Sequence, residues 1–213
     1  MAPRVALIDY GMGNLHSVAK ALERAGARAE LVADGGAWGG FSGLVLPGVG
    51  HFGDGIRQLH ARGLAGPVRS WLDAGKPFLG ICLGMQMLLE RSEEAPGLDG
   101  LGVCAGSVRR FALSAGAPKV PQMGWNDVET KPGCPLFAGI PPHSRFYFVH
   151  SYYAAPDDGG VSAGTAEYGI QYCAALWRGN MYACQFHPEK SQATGLAVLR
   201  NFVALLPEGR QGV

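Results

Sequence analysis

The segment Gly80-Ile-Cys82-Leu-Gly84 places a cysteine between two glycines, where a short apolar run meets a helical pattern. This arrangement is typical of the nucleophile elbow of hydrolases, in which small flanking residues relieve crowding in a strained turn. A helix beginning after the cysteine directs free N–H groups and its positive end at the sulfur, which favours the thiolate. We therefore predict that Cys82 is a nucleophile. The alternative is that Cys82 is a small buried hydrophobe, which is the commoner fate of a free cysteine.

A cysteine nucleophile needs a nearby base, and His187 has the best context among the six histidines. It follows the strand-like run Met181 to Phe186. Pro188 favours an extended conformation at residue 187, so the side chains of His187 and Glu189 are expected to point to the same side. A carboxylate on one ring nitrogen would leave the other facing the thiol. The alternative is that His187-Pro188-Glu189 is only a turn before the last helix.

Acyl transfer also requires N–H donors for an oxyanion. The backbone N–H of Leu83, directly after the nucleophile, is the first candidate. The backbone of Val49 and Gly50 offers the second, because the loop Pro47-Gly-Val-Gly50 follows another predicted strand and should reach the same carboxyl edge of a parallel sheet. The glycines of this loop are equally compatible with an ordinary turn.

Two other patterns are rejected as sites. Gly11-Met-Gly13 resembles the start of a dinucleotide loop, but His16 stands where the third glycine is required, and no Gly-Lys-Ser/Thr sequence is present. Cys184 and His187 have a metal-like spacing, yet no second Cys or His pair lies near them to complete four ligands. We therefore expect neither a cofactor nor a metal.

The first 90 residues alternate strand-like runs with helical patterns. The predicted strands are Arg4–Asp9, Ala29–Val32, Gly43–Pro47 and Pro77–Ile81, and the predicted helices are Leu15–Ala25, one capped by Asp54, one around Val68–Leu72 and one over Leu83–Arg91. This alternation predicts a mainly parallel sheet with helices on both faces.

From Val103 onward, strand-like runs follow one another without helices between them. They are Val103–Phe111, Gly124–Val128, Arg145–Val149, Cys173–Trp177 and Met181–Phe186, and a last helix begins near Ser191. These runs predict an antiparallel extension of the sheet. The expected fold is a three-layer α/β structure, and without a composition break we expect one domain over residues 1–213.

The amino-acid composition excludes several classes of protein. The chain has 213 residues, of which 47% are apolar and 16% charged, against about 25% charged in average domains, which excludes a disordered chain. Its net charge of +1 provides no field to attract nucleic acid or an anionic membrane. The five irregularly spaced cysteines make a poor disulfide framework, and the most apolar stretch, Pro77–Leu89, is too short to cross a bilayer. We expect a soluble cytoplasmic protein.

Taken together, the cysteine elbow and the distant His-Pro-Glu resemble the class I, or triad-type, glutamine amidotransferases, and the resemblance covers essentially the whole chain. Five blocks in order resemble one subfamily, the glutaminase subunits of imidazole glycerol phosphate synthases. They are Asp9-Tyr-Gly-Met-Gly-Asn14, Pro47-Gly-Val-Gly-His-Phe-Gly53, Gly80-Ile-Cys-Leu-Gly-Met-Gln86, Pro121-Gln-Met-Gly-Trp-Asn126 and Phe146-Tyr-Phe-Val-His-Ser-Tyr152. Other class I members usually have Pro-Gly-Gly where this chain has Pro47-Gly48-Val49.

The resemblance implies a flavodoxin-like fold and hydrolysis of L-glutamine to glutamate and ammonia through a thioester on Cys82. His187 would activate the thiol and later a water, and Glu189 would hold His187. By the same resemblance, four residues would help to hold glutamine: Gln86, Glu94, Ser151 and Tyr152. For Gln86 a solvated helix position, and for Glu94 a solvated loop, are the alternatives.

In this subfamily the ammonia passes to a separate cyclase subunit, a β/α barrel, which makes imidazole glycerol phosphate and an aminoimidazole carboxamide ribonucleotide in histidine biosynthesis. The resemblance thus implies a heterodimer and no nucleic-acid or membrane partner. Residues matching the subunit contact are Met123, Trp125, Asn126, Tyr147 and Lys190; Met123, Trp125 and Tyr147 are equally compatible with ordinary sheet and core positions. Two rival classes are a thiol peptidase or other thiol hydrolase with the same triad, and a binding module without catalysis.

Overall fold

A computed structural model describes residues 1–36, 38–112 and 118–207 of the chain. The strands are β1 Arg4–Ile8, β2 Arg28–Val32, β3 Gly43–Leu46, β4 Phe78–Ile81, β5 Leu89–Ser92, β6 Cys104–Arg110, β7 Gln122–Thr130, β8 Ser144–His150, β9 Tyr152–Pro156, β10 Ser162–Glu167, β11 Gln171–Arg178 and β12 Met181–Cys184. The helices are α1 Leu15–Ala25, α2 Phe52–Ala61, α3 Ala65–Asp73, α4 Leu83–Gln86 and α5 Gln192–Ala204. Short 3-10 helices cover Pro135–Phe137, Gly159–Val161 and Pro188–Lys190. In the part of the chain that is described, no helix is long and apolar enough to cross a membrane.

The strands form one sheet in which a parallel half is joined to an antiparallel half. Along its main path the order is β2-β1-β3-β4-β12-β11-β10-β7-β8. The pairs from β2 to β12 are parallel, and those from β12 to β8 are antiparallel. Strand β9 branches from β11 and carries β6 and β5. The predicted α/β architecture with an antiparallel extension is confirmed, and the extent of the domain stays a prediction.

Alternation along the buried strands separates the two faces of the sheet. Val5 and Leu7 of β1 pack in one apolar cluster with α1 and α5. Ala6 and Ile8 pack in a second cluster with α2 and α3. Successive side chains of a strand point to opposite faces, so a fully apolar strand serves two layers of helices.

The predicted helix over Leu83–Arg91 is wrong in its second half. Helix α4 ends at Gln86, and the chain continues as β5, which pairs in parallel with β6 through Arg91 and Ser107. In β5, Leu89 and Ser92 are buried while the two residues between them are exposed. This spacing of three suits a helix as well as a strand, and the pairing with β6 decides the outcome.

The first turn of α2 also differs from the prediction. His51, not Asp54, caps this helix, because its Nδ1 accepts a hydrogen bond of 3.0 Å from the N–H of Gly53. Asp54 lies inside the first turn and forms an ion pair with Arg57 at 2.7 Å. A carboxylate is favourable both at the N-cap and inside the first turn of a helix. The presence of Asp54 therefore did not show by itself which of these two positions it occupies.

Candidate active site

Cys82 lies at the sharp turn between β4 and α4. Its φ of 53° and ψ of −106° are rare for a residue with a side chain. A Cβ added at Gly84 would collide with the carbonyl oxygen of Leu46, and one added at Gly80 would lie 3.0 Å from the backbone of Gly84. Because a Cβ would not fit at either position, both glycines are required around the strained backbone of Cys82. Helix α4 supplies only one turn of N–H groups behind the sulfur, because it is shorter than expected.

His187 and Glu189 form a buried pair beside this turn. Nδ1 of His187 lies 2.8 Å from Oε1 of Glu189, and each side chain is 2% exposed. His187 is extended, as its position before Pro188 predicts, and the 3-10 turn that follows brings Glu189 back to the ring. The carboxylate fixes the proton on Nδ1. Nε2 is buried and has no hydrogen-bond partner among the described residues.

The charge state of His187 depends on Cys82 and Glu189. Burial alone would lower the pKa of the imidazole, but interactions with the Cys82 thiol and the Glu189 carboxylate outweigh burial and raise that pKa above its usual value. The ring is thereby stabilised in its protonated, imidazolium form beside Cys82. This is the arrangement that a proton donor to a leaving amine requires.

An open pocket of about 260 Å³ lies over Cys82. It is lined by Val49, Gly50, Cys82, Leu83, Gln86, Glu94, Pro121, Val149, His150, Ser151 and Tyr152. The predicted oxyanion and substrate residues thus line one pocket together with Cys82. His187 and Glu189 do not line this pocket, but the His187 ring interacts with the Cys82 thiol. Sites for drug-sized ligands span roughly 300–1,000 Å³, so this pocket suits a smaller ligand such as an amino acid.

Gln86 and Glu94 are both tied to the walls of this pocket. Nε2 of Gln86 donates to the Tyr152 carbonyl at 3.0 Å and to Oε1 of Gln185 at 2.9 Å, which leaves its Oε1 for a ligand. Gln86 is 5% exposed, so a solvated position for it is wrong. Oε2 of Glu94 accepts from the N–H of Phe52 at 2.7 Å, and its second oxygen remains for the pocket. Their roles in binding stay predictions.

Gln185 and His150 belong to the site but were not selected from the sequence. Burial lowers the pKa of His150 to about 4, so its ring is neutral at physiological pH. Its Nδ1 donates to the Tyr152 carbonyl at 2.8 Å. The available signal was a polar glutamine within the apolar run Met181–Phe186, and the structure shows Gln185 directly after β12 and fully buried.

The residues predicted to contact a partner subunit do not all share one face. Met123 and Trp125 project from β7 and are 65% and 38% exposed. The Trp125 ring meets the Tyr147 ring edge-on at 6.1 Å, and Nζ of Lys190 lies 5.9 Å from the centre of the same Tyr147 ring. We call Met123, Trp125, Tyr147 and Lys190 the aromatic patch.

Asn126 follows Trp125 on β7 and therefore points to the opposite face of the strand. Its Nδ2 donates to the carbonyl of Glu167 on β10 at 2.8 Å. Asn126 thus stands apart from the aromatic patch, and its predicted contact with a partner would have to be made from the other face of β7.

The backbone of Tyr147 is bonded directly to the turn that carries His187. The His187 N–H donates to the Tyr147 carbonyl at 2.9 Å. The Tyr147 N–H donates to Oγ of Ser191 at 2.9 Å, and Ser191 in turn donates to the His187 carbonyl at 2.7 Å. The aromatic patch and the His187–Glu189 pair therefore share one hydrogen-bonded frame.

Comparison with known proteins agrees with this fold. The family model for class I glutamine amidotransferases matches residues 6–206, and the chain belongs to that family. It is 50% identical over 204 residues to imidazole glycerol phosphate synthase subunit HisH of a Synechococcus species, covering 95% of this chain and 94% of the relative. The subunit of the same name from Deinococcus radiodurans is 49% identical over 201 residues, covering 94% and 93%.

Solved structures show the same fold at lower identity. PurLQS from Thermotoga maritima superposes with a TM-score of 0.74 at 20% identity, covering 96% of this chain and 99% of that one. A crystal structure of a glutamine amidotransferase gives a TM-score of 0.74 at 21% identity, with 94% and 97% covered. These similarities concern the fold alone.

Proposed function

We propose that this chain is the glutaminase subunit of an imidazole glycerol phosphate synthase. It hydrolyses L-glutamine to glutamate and ammonia, and the ammonia passes to a cyclase subunit that makes imidazole glycerol phosphate and an aminoimidazole carboxamide ribonucleotide in histidine biosynthesis. The observation that carries the proposal is the amino-acid-sized pocket over Cys82, backed by the buried His187–Glu189 pair. The two relatives described above, which are 50% and 49% identical to this chain, bear the name of this subunit.

In this mechanism the Cys82 thiolate attacks the side-chain amide carbon of glutamine and a tetrahedral oxyanion forms. The His187 imidazolium gives its Nε2 proton to the leaving nitrogen, and ammonia departs as the thioester forms. The neutral imidazole then removes a proton from water, which attacks the thioester. Collapse of the second oxyanion releases glutamate and restores the thiolate–imidazolium pair. Glu189 holds the ring by Nδ1 throughout.

Neither of the two predicted oxyanion donors, the N–H groups of Leu83 and Val49, is available in this conformation. The N–H of Leu83 already donates to the carbonyl of Gly48, at 3.4 Å. In a trans peptide the N–H of Val49 points opposite to the Gly48 carbonyl, so it points away from the site. Rotation of this one peptide would free the Leu83 donor and add the Val49 donor. Gly50, with a φ of +100°, and Gly48 flank the rotating unit and lower the cost of turning it.

We therefore expect the isolated chain to hydrolyse glutamine slowly, and the cyclase subunit loaded with its nucleotide to accelerate it. Losing one oxyanion donor costs about 10²- to 10³-fold in rate, so activation of at least that order is expected. The measurement is glutamate release by the chain alone, with the empty cyclase subunit and with the loaded one. Full activity of the isolated chain, unchanged by the loaded partner, would refute this coupling.

The aromatic patch is the proposed docking face. It combines two exposed apolar side chains, an aromatic pair and a cation, which is the composition of an interface centre. Val149, which lines the pocket over Cys82, pairs with Met123 across β7 and β8, so the docking face adjoins the site of ammonia release.

Substitution Trp125→Ala should weaken assembly or coupling and leave the chain folded. The ring is 38% exposed, whereas removing a buried core Trp would cost about 3–5 kcal/mol of stability. Binding to the cyclase subunit is measured by calorimetry, and the melting temperature is measured in parallel. Trp177→Ala, which removes a partly exposed tryptophan on β11 away from the patch, is the control. A Trp125→Ala chain that is merely unstable, with unchanged binding, contradicts the docking assignment.

A further inference from the structure

Gln185 connects the nucleophile to the pocket wall through a relay of two side-chain amides. It is fully buried, and its Nε2 lies 3.5 Å from Sγ of Cys82. Its Oε1 accepts from Nε2 of Gln86 at 2.9 Å, and Gln86 donates its second amide hydrogen to the Tyr152 carbonyl at 3.0 Å. The relay therefore runs from a backbone carbonyl to the reacting sulfur.

The backbone carbonyl at the far end determines which way both amides face. The Tyr152 carbonyl can only accept a hydrogen bond, so Gln86 must direct its NH₂ group towards it. The remaining hydrogen of that NH₂ group requires an acceptor, which is Oε1 of Gln185. Gln185 is consequently left with its NH₂ group facing Cys82. An N–H donor, and not a carbonyl oxygen, is thus presented to the sulfur.

We propose that Gln185 is a positioning residue that stabilises and aims the Cys82 thiolate by donating a hydrogen bond to it. A donor to the charged form favours that form, and hydrogen bonds to ionised groups are about twice as strong as neutral ones. The inference rests on the proposed function for its purpose. His187 gives up its proton when ammonia leaves, whereas the Gln185 amide does not titrate and offers its donor at every step.

Other titratable groups also face Cys82 and remain unchanged when Gln185 is replaced by a neutral side chain. They are His187 and Glu189 on the turn after β12, Cys184 on β12, Tyr10 after β1, and Glu94, His150 and Tyr152 in the pocket wall. Burial raises the pKa of both Tyr10 and Cys184, so these two stay neutral around the sulfur. A shift caused by a Gln185 variant is therefore assignable to the lost donor.

The test is the pH dependence of alkylation of Cys82 by iodoacetamide in the isolated chain. The alkylated position is identified by peptide mass spectrometry, since the other four cysteines are free but buried. The midpoint of the alkylation pH profile reports the titration of the Cys82–His187 pair. In Gln185→Met we expect this midpoint to rise by about one pH unit, so the thiolate fraction at a pH below it falls roughly tenfold. With glutamine and the loaded partner, at a pH below both midpoints, kcat should fall about tenfold with KM unchanged.

Gln122→Met is the matched control. Gln122 is 2% exposed and accepts a hydrogen bond of 2.9 Å from the Tyr172 hydroxyl, but none of its hydrogen bonds reaches Cys82. The midpoint of Cys82 alkylation in Gln122→Met should equal that of the parent chain. An unchanged midpoint in Gln185→Met, or the same shift in both variants, would overturn the proposal.

If Gln185→Met does not fold, Gln185→Leu removes the same donor with another uncharged side chain. Its midpoint should rise by the amount expected for Gln185→Met, and a midpoint equal to the parent's would overturn the proposal. The alkylation measurement needs no turnover. Absence of glutaminase activity in the parent chain with its loaded partner would refute the proposed function, and the role of Gln185 at the thiol would still be decided.

Discussion

Replacing Cys82 with alanine is expected to abolish glutamine hydrolysis, while the complex with the cyclase subunit still makes product from added ammonia. In the proposed mechanism the sulfur forms the covalent bond to the substrate, and loss of a triad nucleophile costs on the order of 10⁶-fold in rate. In the same mechanism the cyclase subunit uses no group of Cys82. Glutamate release and nucleotide product formation are measured separately, with glutamine and with ammonium salt as nitrogen donors.

Cys104→Ala is the control for this experiment. Cys104 is a buried free cysteine on β6, away from the pocket, and its loss should leave hydrolysis unchanged. Residual activity of Cys82→Ala at a few per cent of the parent would refute its assignment as nucleophile, because water cannot replace the thiolate at that level. Cleavage of peptides by the parent chain without hydrolysis of free glutamine would favour the thiol peptidase class instead.

His187→Ala should lose about 10²- to 10⁴-fold in glutamine hydrolysis, the usual contribution of a positioned proton-transfer group. Glu189→Gln should be less severe, because Glu189 acts only through the ring that it holds at 2.8 Å. It should also lower the pKa of His187, since the carboxylate is one of the two groups that raise it. The pH profile of kcat/KM then reports the shift.

His60→Ala, an exposed position on α2, is the control for the base. A His187→Ala chain that keeps most of its activity, together with an inactive variant at another histidine, would show that the wrong base was chosen. Among the described residues, His150 is the only histidine that lines the pocket. Its low pKa and its bond to the Tyr152 carbonyl make it unsuited to accept a proton.

Local sequence patterns were sufficient to predict the three residues at the centre of the candidate site, Cys82, His187 and Glu189. The elbow at Cys82 is defined by five consecutive residues, and the contact between His187 and Glu189 follows from a spacing of two around a proline. Each depends on backbone geometry within a few residues, which sequence specifies well. The distance between the two segments, 105 positions apart, depends on β4 and β12 being neighbours in the sheet.

Features fixed by long-range pairing were not predicted. Strand β10, with the sequence Ser-Ala-Gly-Thr-Ala-Glu, has little strand propensity of its own and exists because β11 and β7 flank it. Gln185 was not selected from the sequence, because its partners Cys82 and Gln86 lie 103 and 99 positions away along the chain. Alternation along β7 would have separated Asn126 from Trp125, but the family resemblance grouped them.

Strand β8 is the last strand on its side of the sheet, which normally leaves a row of free N–H and C=O groups open to pairing with another molecule. At Tyr147 both groups are occupied by the segment that carries His187 and Ser191. The segment that carries His187, the proposed proton-transfer residue, thus also covers this part of the sheet edge against strand addition. Mutations that loosen it are expected to reduce solubility as well as turnover, so selection for a soluble subunit and selection for an active one act on the same few residues.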